Sequence, residues 1–291
     1  MAVHEIQAKQ MLAHHARPDS WFGLKYTFNI YRGCQHRCIY CDSRSACYGI
    51  EDFEDVLVKA NAIELLNREL PRKRTKGLVG TGSMSDPYGP IEERYGLTRQ
   101  ALEVLLRYRF PLHLITKSDL VVRDTDLLMR LAEIAAYVSF TVTTADDKLA
   151  AVLEPGAPSP SRRYAAMRAL AMAGVTVGVT MMPILPFIED TKESITAVVE
   201  QAVAAGATYV IPGFGMTMRD RQRDYFYAQL DREFPSLRRR YEQRYGERYD
   251  CPCPNAQSLH AAFDALIARH CLQTRVPPYE VPPAGVQRPL L

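Results

Sequence analysis

Three cysteines set the chemical question for this chain. Cys34, Cys38 and Cys41 fall in the run Cys34-Gln-His-Arg-Cys38-Ile-Tyr40-Cys41, a C-x3-C-x2-C spacing. Three thiolates this close in sequence, on a loop just after a strand, can hold three corners of one iron–sulfur cubane. A fully ligated structural cluster takes four cysteines. Three leave one iron without a protein ligand, the open position that a catalytic metal centre needs. Two other readings of the same residues stand beside this one. A zinc ion would ask for paired C-x2-C arms and four ligands in all, and unrelated cysteines can share the spacing by chance.

The other chemistry-bearing residues are scattered. Cys47, Cys251, Cys253 and Cys271 could hold a second cluster or a zinc, stay as free thiols, or give up a hydrogen atom; Cys271, on an apolar helix face over 266–272, reads as a small buried hydrophobe. His36 lies inside the cysteine run and reads as a surface residue, with tuning of the cluster as the alternative. His260 and His270 have no visible partner. Arginines and tyrosines crowd 219–249, a pattern that could pair with phosphates and stack on bases. Acids are interleaved nearly one for one, so a salt-bridged helix face is the expectation there.

Holding three thiolates in place takes a scaffold, and 291 residues at 47% apolar content can build one. From about 26 to 215 the chain alternates β-rich runs with helix-patterned segments. Strands are expected over 77–80, 111–116, 138–142, 175–181 and 208–211, and amphipathic helices over 53–70, 98–108, 124–136, 161–173 and 191–205. Ser161 reads as the cap region of the fourth helix, and Gly174 and Gly206 stand where a left-handed stop fits. This β-then-α order implies a parallel sheet with right-handed crossovers, open or closed into a barrel. Chemistry then sits at the carboxyl ends of the strands. After Gly215 the expectation is charged surface helix to 250, a turn over 251–255, a helix over 258–270 and an extended or frayed tail over 277–291.

Composition narrows the setting. A net charge of +3 names no partner. Residues 1–16 lack the apolar stretch of a signal peptide, and apolar stretches such as 173–187, with Pro183 and Pro186, are shorter than a bilayer span. The chain is expected to be cytoplasmic, with no membrane association. Seven cysteines in a reducing compartment point to metal binding or catalysis over disulfides.

With an aromatic before its third cysteine, the run resembles the signature of the radical S-adenosylmethionine (SAM) superfamily. The resemblance extends over about 26–186 and is to the spore photoproduct lyase family. Gly82-Ser83-Met84-Ser85-Asp86 ends the second strand where that family carries a Cys-Thr-Ser-Asp run. Leu114-Ile-Thr-Lys117 matches a strand ending in Thr-Lys, and Phe140-Thr-Val-Thr143 takes the place of a Ser-Ile-Asn strand. Glu154-Pro155-Gly156, then Arg163 and the helix to Gly174, follow in the same order, and Met182-Pro183-Ile184 closes the next strand.

The resemblance implies an α/β fold: a partial (β/α)6 TIM-type barrel of parallel strands over 26–215. An N-terminal extension over 1–25 precedes it, and a C-terminal helical extension over 216–291 follows. It also implies a [4Fe-4S] cluster on the three cysteines and SAM on the open iron. Reductive cleavage would give a 5′-deoxyadenosyl radical that takes hydrogen from a substrate, with a flavodoxin- or ferredoxin-type protein as electron donor. Cofactors carry the hard chemistry in such a scheme, and the protein orients and encloses.

Residue by residue, the carry-over puts Ser85 and Asp86 near the methionyl amino group of SAM and Lys117 on its carboxylate. Thr141 and Thr143 would meet the ribose or carboxylate, Arg163 would give a bidentate bond to a carboxylate, and Tyr40 would pack beside the adenine. Each has an ordinary alternative: a strand-end lysine, β-forming threonines, a helix-surface arginine, a core tyrosine. Ser83 stands where the lyase family has its hydrogen-donating cysteine. An O–H bond is too strong to return a hydrogen atom to a carbon radical as a thiol does, which argues against photoproduct repair. The substrate expectation is a nucleotide or nucleic-acid-like molecule. A peptide or protein side chain is the second reading, and a non-catalytic iron–sulfur or electron-transfer protein the third.

Overall fold

In the computed structural model, which describes residues 2–82 and 84–280, six runs of largely apolar residues line up in chain order as one parallel sheet. They are β1 (Tyr26–Thr27), β2 (Val79–Thr81), β3 (Leu112–Thr116), β4 (Ala136–Thr141), β5 (Thr176–Ile184) and β6 (Tyr209–Thr217). Each after β1 pairs parallel with the one before it in this series. The crossovers carry α1 (Ala62–Glu69), α2 (Leu97–Arg107), α3 (Thr125–Ala132), α4 (Pro160–Met172) and α5 (Lys192–Ala204). This is the partial (β/α)6 TIM-type fold that the resemblance implied. Ala13–His14 and Asp250–Pro252 add antiparallel edges beside β1 and β6. Every residue of β4 is buried, as a strand covered on both faces must be.

Helix boundaries follow their caps. Thr191 accepts from the Ser194 N–H at the start of α5, and Gly174 and Gly206 end their helices at φ +81° and +88°. The cap of α4 is Ser159, which accepts from the Arg162 N–H with Pro160 in the first turn. That helix therefore starts before Ser161.

Three expectations are corrected. The helix expected over 53–70 begins only at Ala62; Val56–Lys59 before it is a strand, parallel to Val3–Ile6 and antiparallel to Tyr31–Arg32. Its buried positions alternate, and that period of two prevails over the helical one. Asp250–Pro252 is a strand where a turn was expected. Cys271 ends α8 (Ala256–His270) at φ +53° and is exposed, so it is no buried hydrophobe.

The arginine-rich segment forms α6 (Asp220–Glu233) and α7 (Leu237–Tyr245). Its surface charges do pair, as Arg238 does with Asp231 and Glu242. Its inner side does more. Phe226, Leu230, Tyr241 and Tyr245 are buried in one core with Ile39, Tyr40 and Leu185. Arg221 donates to the carbonyls of Arg44 (2.7 Å) and Ile50, Gln222 Nε2 donates to the Tyr40 carbonyl (3.1 Å), and Asp220 accepts from the Ala46 N–H (3.1 Å). Arg219 pairs with Asp42 at 2.5 Å. The start of α6 thus clamps the segment that follows the cysteines. Among the described residues no helix is long and apolar enough to cross a membrane.

This shared core makes a prediction. Phe226→Ala should cost about 3–5 kcal/mol in a urea melt, and it should also speed hydrogen exchange at the amides of 34–41. Unchanged exchange there would show that the extension packs by itself.

Candidate active site

The cysteine loop is pinned at several points. Cys34 N–H donates to the Phe53 carbonyl at 3.2 Å, Ile39 N–H to Leu153 at 2.9 Å, and Gly156 N–H to His36 at 2.9 Å. A Cβ on Gly156 would lie 2.1 Å from the Gln35 carbonyl oxygen. Only glycine lets the β4–α4 connection come this close. The thiols of Cys34, Cys38 and Cys41 are free and line one small cavity of about 110 Å³. Burial pushes Cys34 up to about 12 and raises Cys38 too. Three thiolates in this setting call for a cation to receive them, which fits a cluster. Among the described residues no three His, Cys, Asp or Glu side chains converge as around a single ion. A cubane makes no such demand, because each thiolate takes a different iron.

Behind the loop, the Asp86 carboxylate is filled by protein donors. Oδ1 accepts from the Thr116 hydroxyl (2.6 Å) and the Tyr88 N–H (2.9 Å), and Oδ2 from the Lys117 N–H (2.6 Å), with His36 Nε2 3.0 Å away. Burial alone would raise its pKa; His36 and these hydrogen bonds more than offset that and bring it to about 2. His36, expected on the surface, is 2% exposed, and its Nδ1 faces the Gly156 carbonyl at 3.1 Å. A carbonyl only accepts, so that nitrogen carries a proton. Ser85 Oγ donates to the Gly33 carbonyl at 2.6 Å. Both residues therefore bind the ends of β2 and β3 to the cysteine loop.

A second buried carboxylate, Glu154, gathers the cationic residues. Arg163 Nη2 lies 2.5 Å from Glu154 Oε2, Lys117 Nζ lies 3.8 Å from Oε1, and the Tyr40 hydroxyl donates to Oε1. Arg163 is fully buried and also donates to the carbonyls of Pro158 (2.8 Å) and Thr141 (2.9 Å). Burial would lower the Lys117 pKa, but Cys38 and Glu154 raise it further, so the ammonium stays charged. Thr141 Oγ1 pairs with Thr180 Oγ1 at 2.9 Å, while the Thr143 hydroxyl donates to Glu189 Oε1 at 2.6 Å. Glu189 Oε2 also accepts from the Leu185 N–H at 3.0 Å. Burial pushes this carboxyl up to about 8.

The small cavity shares Cys41, Ser43, Gly82, Ile115, Lys117 and Thr141 with a larger one of about 670 Å³. That volume is typical of a small-molecule site. It lies over the carboxyl ends of β2 to β6, with Tyr40 on its wall and Trp21, Phe22, Met182 and Phe214 among its apolar lining. Of the residues expected at the site, Tyr40, Lys117, Thr141 and Cys41 face the large cavity, and Ser85 and Asp86 line the small one. Thr143 and Arg163 line neither; both are spent on buried carboxylates. Ser83 lies outside the described residues. Glu154 and Glu189 received no role from sequence. Glu154 stood in a matched run, but nothing local says that a glutamate before Pro-Gly turns inward to meet Arg163.

The chain is similar to known proteins over most of its length. The family model described as the Radical SAM superfamily matches residues 28–211. An uncharacterised protein of Mycobacterium tuberculosis is 33% identical over 280 residues, covering 94% of this chain and 82% of its own. The radical SAM Nalpha-GlyT isomerase of Pseudomonas phage M6 is 26% identical over 181 residues, 62% of this chain and 37% of that protein. Among solved structures, a variant of spore photoproduct lyase with bound AdoMet and dinucleoside spore photoproduct superposes with a TM-score of 0.67 at 16% identity, covering 92% of this chain and 78% of the other.

Glu189 supplies a pH test. Its carboxyl rises from an ordinary value of 4.5 to about 8 in the folded chain. Between those values the folded chain keeps a proton that the unfolded chain has lost, so stability falls as pH rises through the window. Glu189→Gln removes that dependence. Urea midpoints of the two proteins should diverge in slope between pH 5 and 8; parallel curves would show that Glu189 is ionised throughout.

Proposed function

The chain belongs to the radical SAM superfamily, and on that premise we propose that it takes hydrogen from a nucleotide or nucleic-acid-like substrate held in the 670 Å³ cavity. One observation carries this reading: the cavity lined by the three thiols opens into the larger one at the carboxyl ends of five parallel strands. Cys34, Cys38 and Cys41 would hold three irons of a [4Fe-4S] cluster. When bound, cluster and SAM supply reductive sulfonium cleavage and a carbon radical that abstracts hydrogen.

The chain's own residues have distinct tasks in this proposal. Lys117 offers its ammonium to the SAM carboxylate, Tyr40 flanks the adenine, and Thr141 presents its hydroxyl to the ribose. Ser85, Asp86, Thr143 and Arg163, whose polar atoms are committed within the protein, hold the loop and Lys117 in position. A radical SAM enzyme needs a one-electron reductant, and a flavodoxin- or ferredoxin-type protein fits that role. We keep 26–215 as the barrel unit with 1–25 and 216–291 as its extensions, and place the protein in the cytoplasm, where thiols stay reduced.

Ser83 directs the reaction type. With serine in place of the lyase family's donor thiol, the final hydrogen must come from another group, so photoproduct repair is not the proposed reaction. A phage relative named as an isomerase supports the idea that chains of this kind carry out other radical conversions.

Anaerobic reconstitution with iron, sulfide, dithionite and SAM tests the reading. The wild type should show cluster absorbance and form 5′-deoxyadenosine; alanine at Cys34, Cys38 or Cys41 should abolish both. Lys117→Ala should keep the cluster and weaken SAM binding tenfold or more. An intact cluster with no 5′-deoxyadenosine would favour the electron-transfer alternative. Stimulation by a peptide and by no nucleic acid would move the substrate to a protein side chain.

A further inference from the structure

The chain has one tryptophan, and it lies at the edge of the large cavity with 51% of its surface exposed. Its backbone is nevertheless tightly held. Trp21 N–H and Phe22 N–H both donate to Asp19 Oδ1, at 2.9 and 2.6 Å, and Val276 N–H donates to the Trp21 carbonyl at 2.9 Å. Phe22 is fixed in turn, stacked on the buried His113 with centroids 5.2 Å apart. It meets Trp21 edge to face, at 6.4 Å and 87°. Among the described residues no ring stacks flat on the indole. A large aromatic side chain on a held backbone thus lines the cavity and is left without a parallel partner.

The rest of the wall narrows what such a ring could meet. Among the described residues Lys117 is the one lysine or arginine that lines the cavity, and Glu154 lies 3.8 Å from it. Asp42 is matched by Arg219. With Lys117 given to the SAM carboxylate, no cation among the described residues of the wall is left over to grip a phosphate. On the same lining, β6 breaks register at Gly213, which drops out of the ladder between Pro212 and Phe214. A bulge frees backbone groups beside a site, and these can meet the polar edge of a flat ring. Phe214 and Met182 supply apolar contact.

We propose that Trp21 is the stacking wall of a subsite for an unpaired nucleobase, whose ring enters the cavity while its phosphates stay outside. Indole–base stacking tolerates any base and contributes strongly to single-strand binding, and it reads bases that have left a helix. The inference rests on the nucleic-acid reading of the same cavity and adds the mode of recognition.

The single tryptophan makes the test direct. The reconstituted full chain is titrated with a single-stranded oligothymidylate, following indole emission and the anisotropy of a labelled strand. Saturable quenching is expected, with Trp21→Phe binding within a few-fold of wild type and Trp21→Ala weaker by tenfold or more. If W21A melts early by circular dichroism, Trp21→Leu carries the comparison, since it keeps apolar bulk without a π-face. An oligonucleotide that binds and stimulates SAM cleavage, with affinity and emission indifferent to residue 21, overturns this inference and leaves the proposed function standing. No binding of any strand overturns both. Quenching by a tyrosine-containing peptide with none by the strand overturns the nucleobase assignment in favour of a peptide.

Discussion

The carboxylate of Asp86 must be satisfied on all sides, and meeting that demand fixes the active-site floor. Three donors meet on its two oxygens, the Thr116 hydroxyl and Lys117 amide from the end of β3 and the Tyr88 amide from its own turn, and the His36 ring of the cysteine loop packs 3.0 Å from Oδ2. Such charge-assisted bonds are short and strong, and a donor left unmatched at this depth would be costly. The end of β3 therefore cannot move relative to the cysteines. The Lys117 side chain, which faces the cavity, inherits that rigidity from its own backbone.

Glu154 does for the far wall what Asp86 does for the floor. Arg163 reaches from α4, Lys117 from the end of β3, and Tyr40 from between the last two cysteines, and all three end on one buried carboxylate. A buried ion network is worth little as net stability. Its use here is positional, since it holds the Lys117 ammonium at the cavity wall.

Much of this was legible in the sequence, for physical reasons. The cysteine spacing, the alternation of β and α, and the glycine stops are local signals, and the five expected strands and most helices stand close to where those signals put them, whereas the two-residue β1 carried no such signal. The failures share a cause. Val56–Lys59 looked helical because its pairing partners, Val3–Ile6 and Tyr31–Arg32, are remote in sequence. His36 looked exposed because the strand end that buries it comes 50 residues later. Arg219 and Arg221 read as a solvated face because their partners, Asp42 and the carbonyls of Arg44 and Ile50, carry no pattern that links them to a distant helix. Composition shows how many charges a segment has, and only the fold shows which of them turn inward.

The clamp of α6 on the cysteine loop has a consequence for biogenesis. Gln222 and the Tyr40 carbonyl it holds are 182 residues apart. At synthesis rates of about 5–20 residues per second, the cysteines leave the ribosome on the order of ten seconds or more before their clamp exists. During that interval three exposed thiols share one unsupported loop, open to oxidation and to the wrong metal. A loop closed by such distant contacts is also set late in folding. A cluster held by these cysteines would thus be built on the finished chain, and a nascent or truncated chain would offer it an unsupported loop.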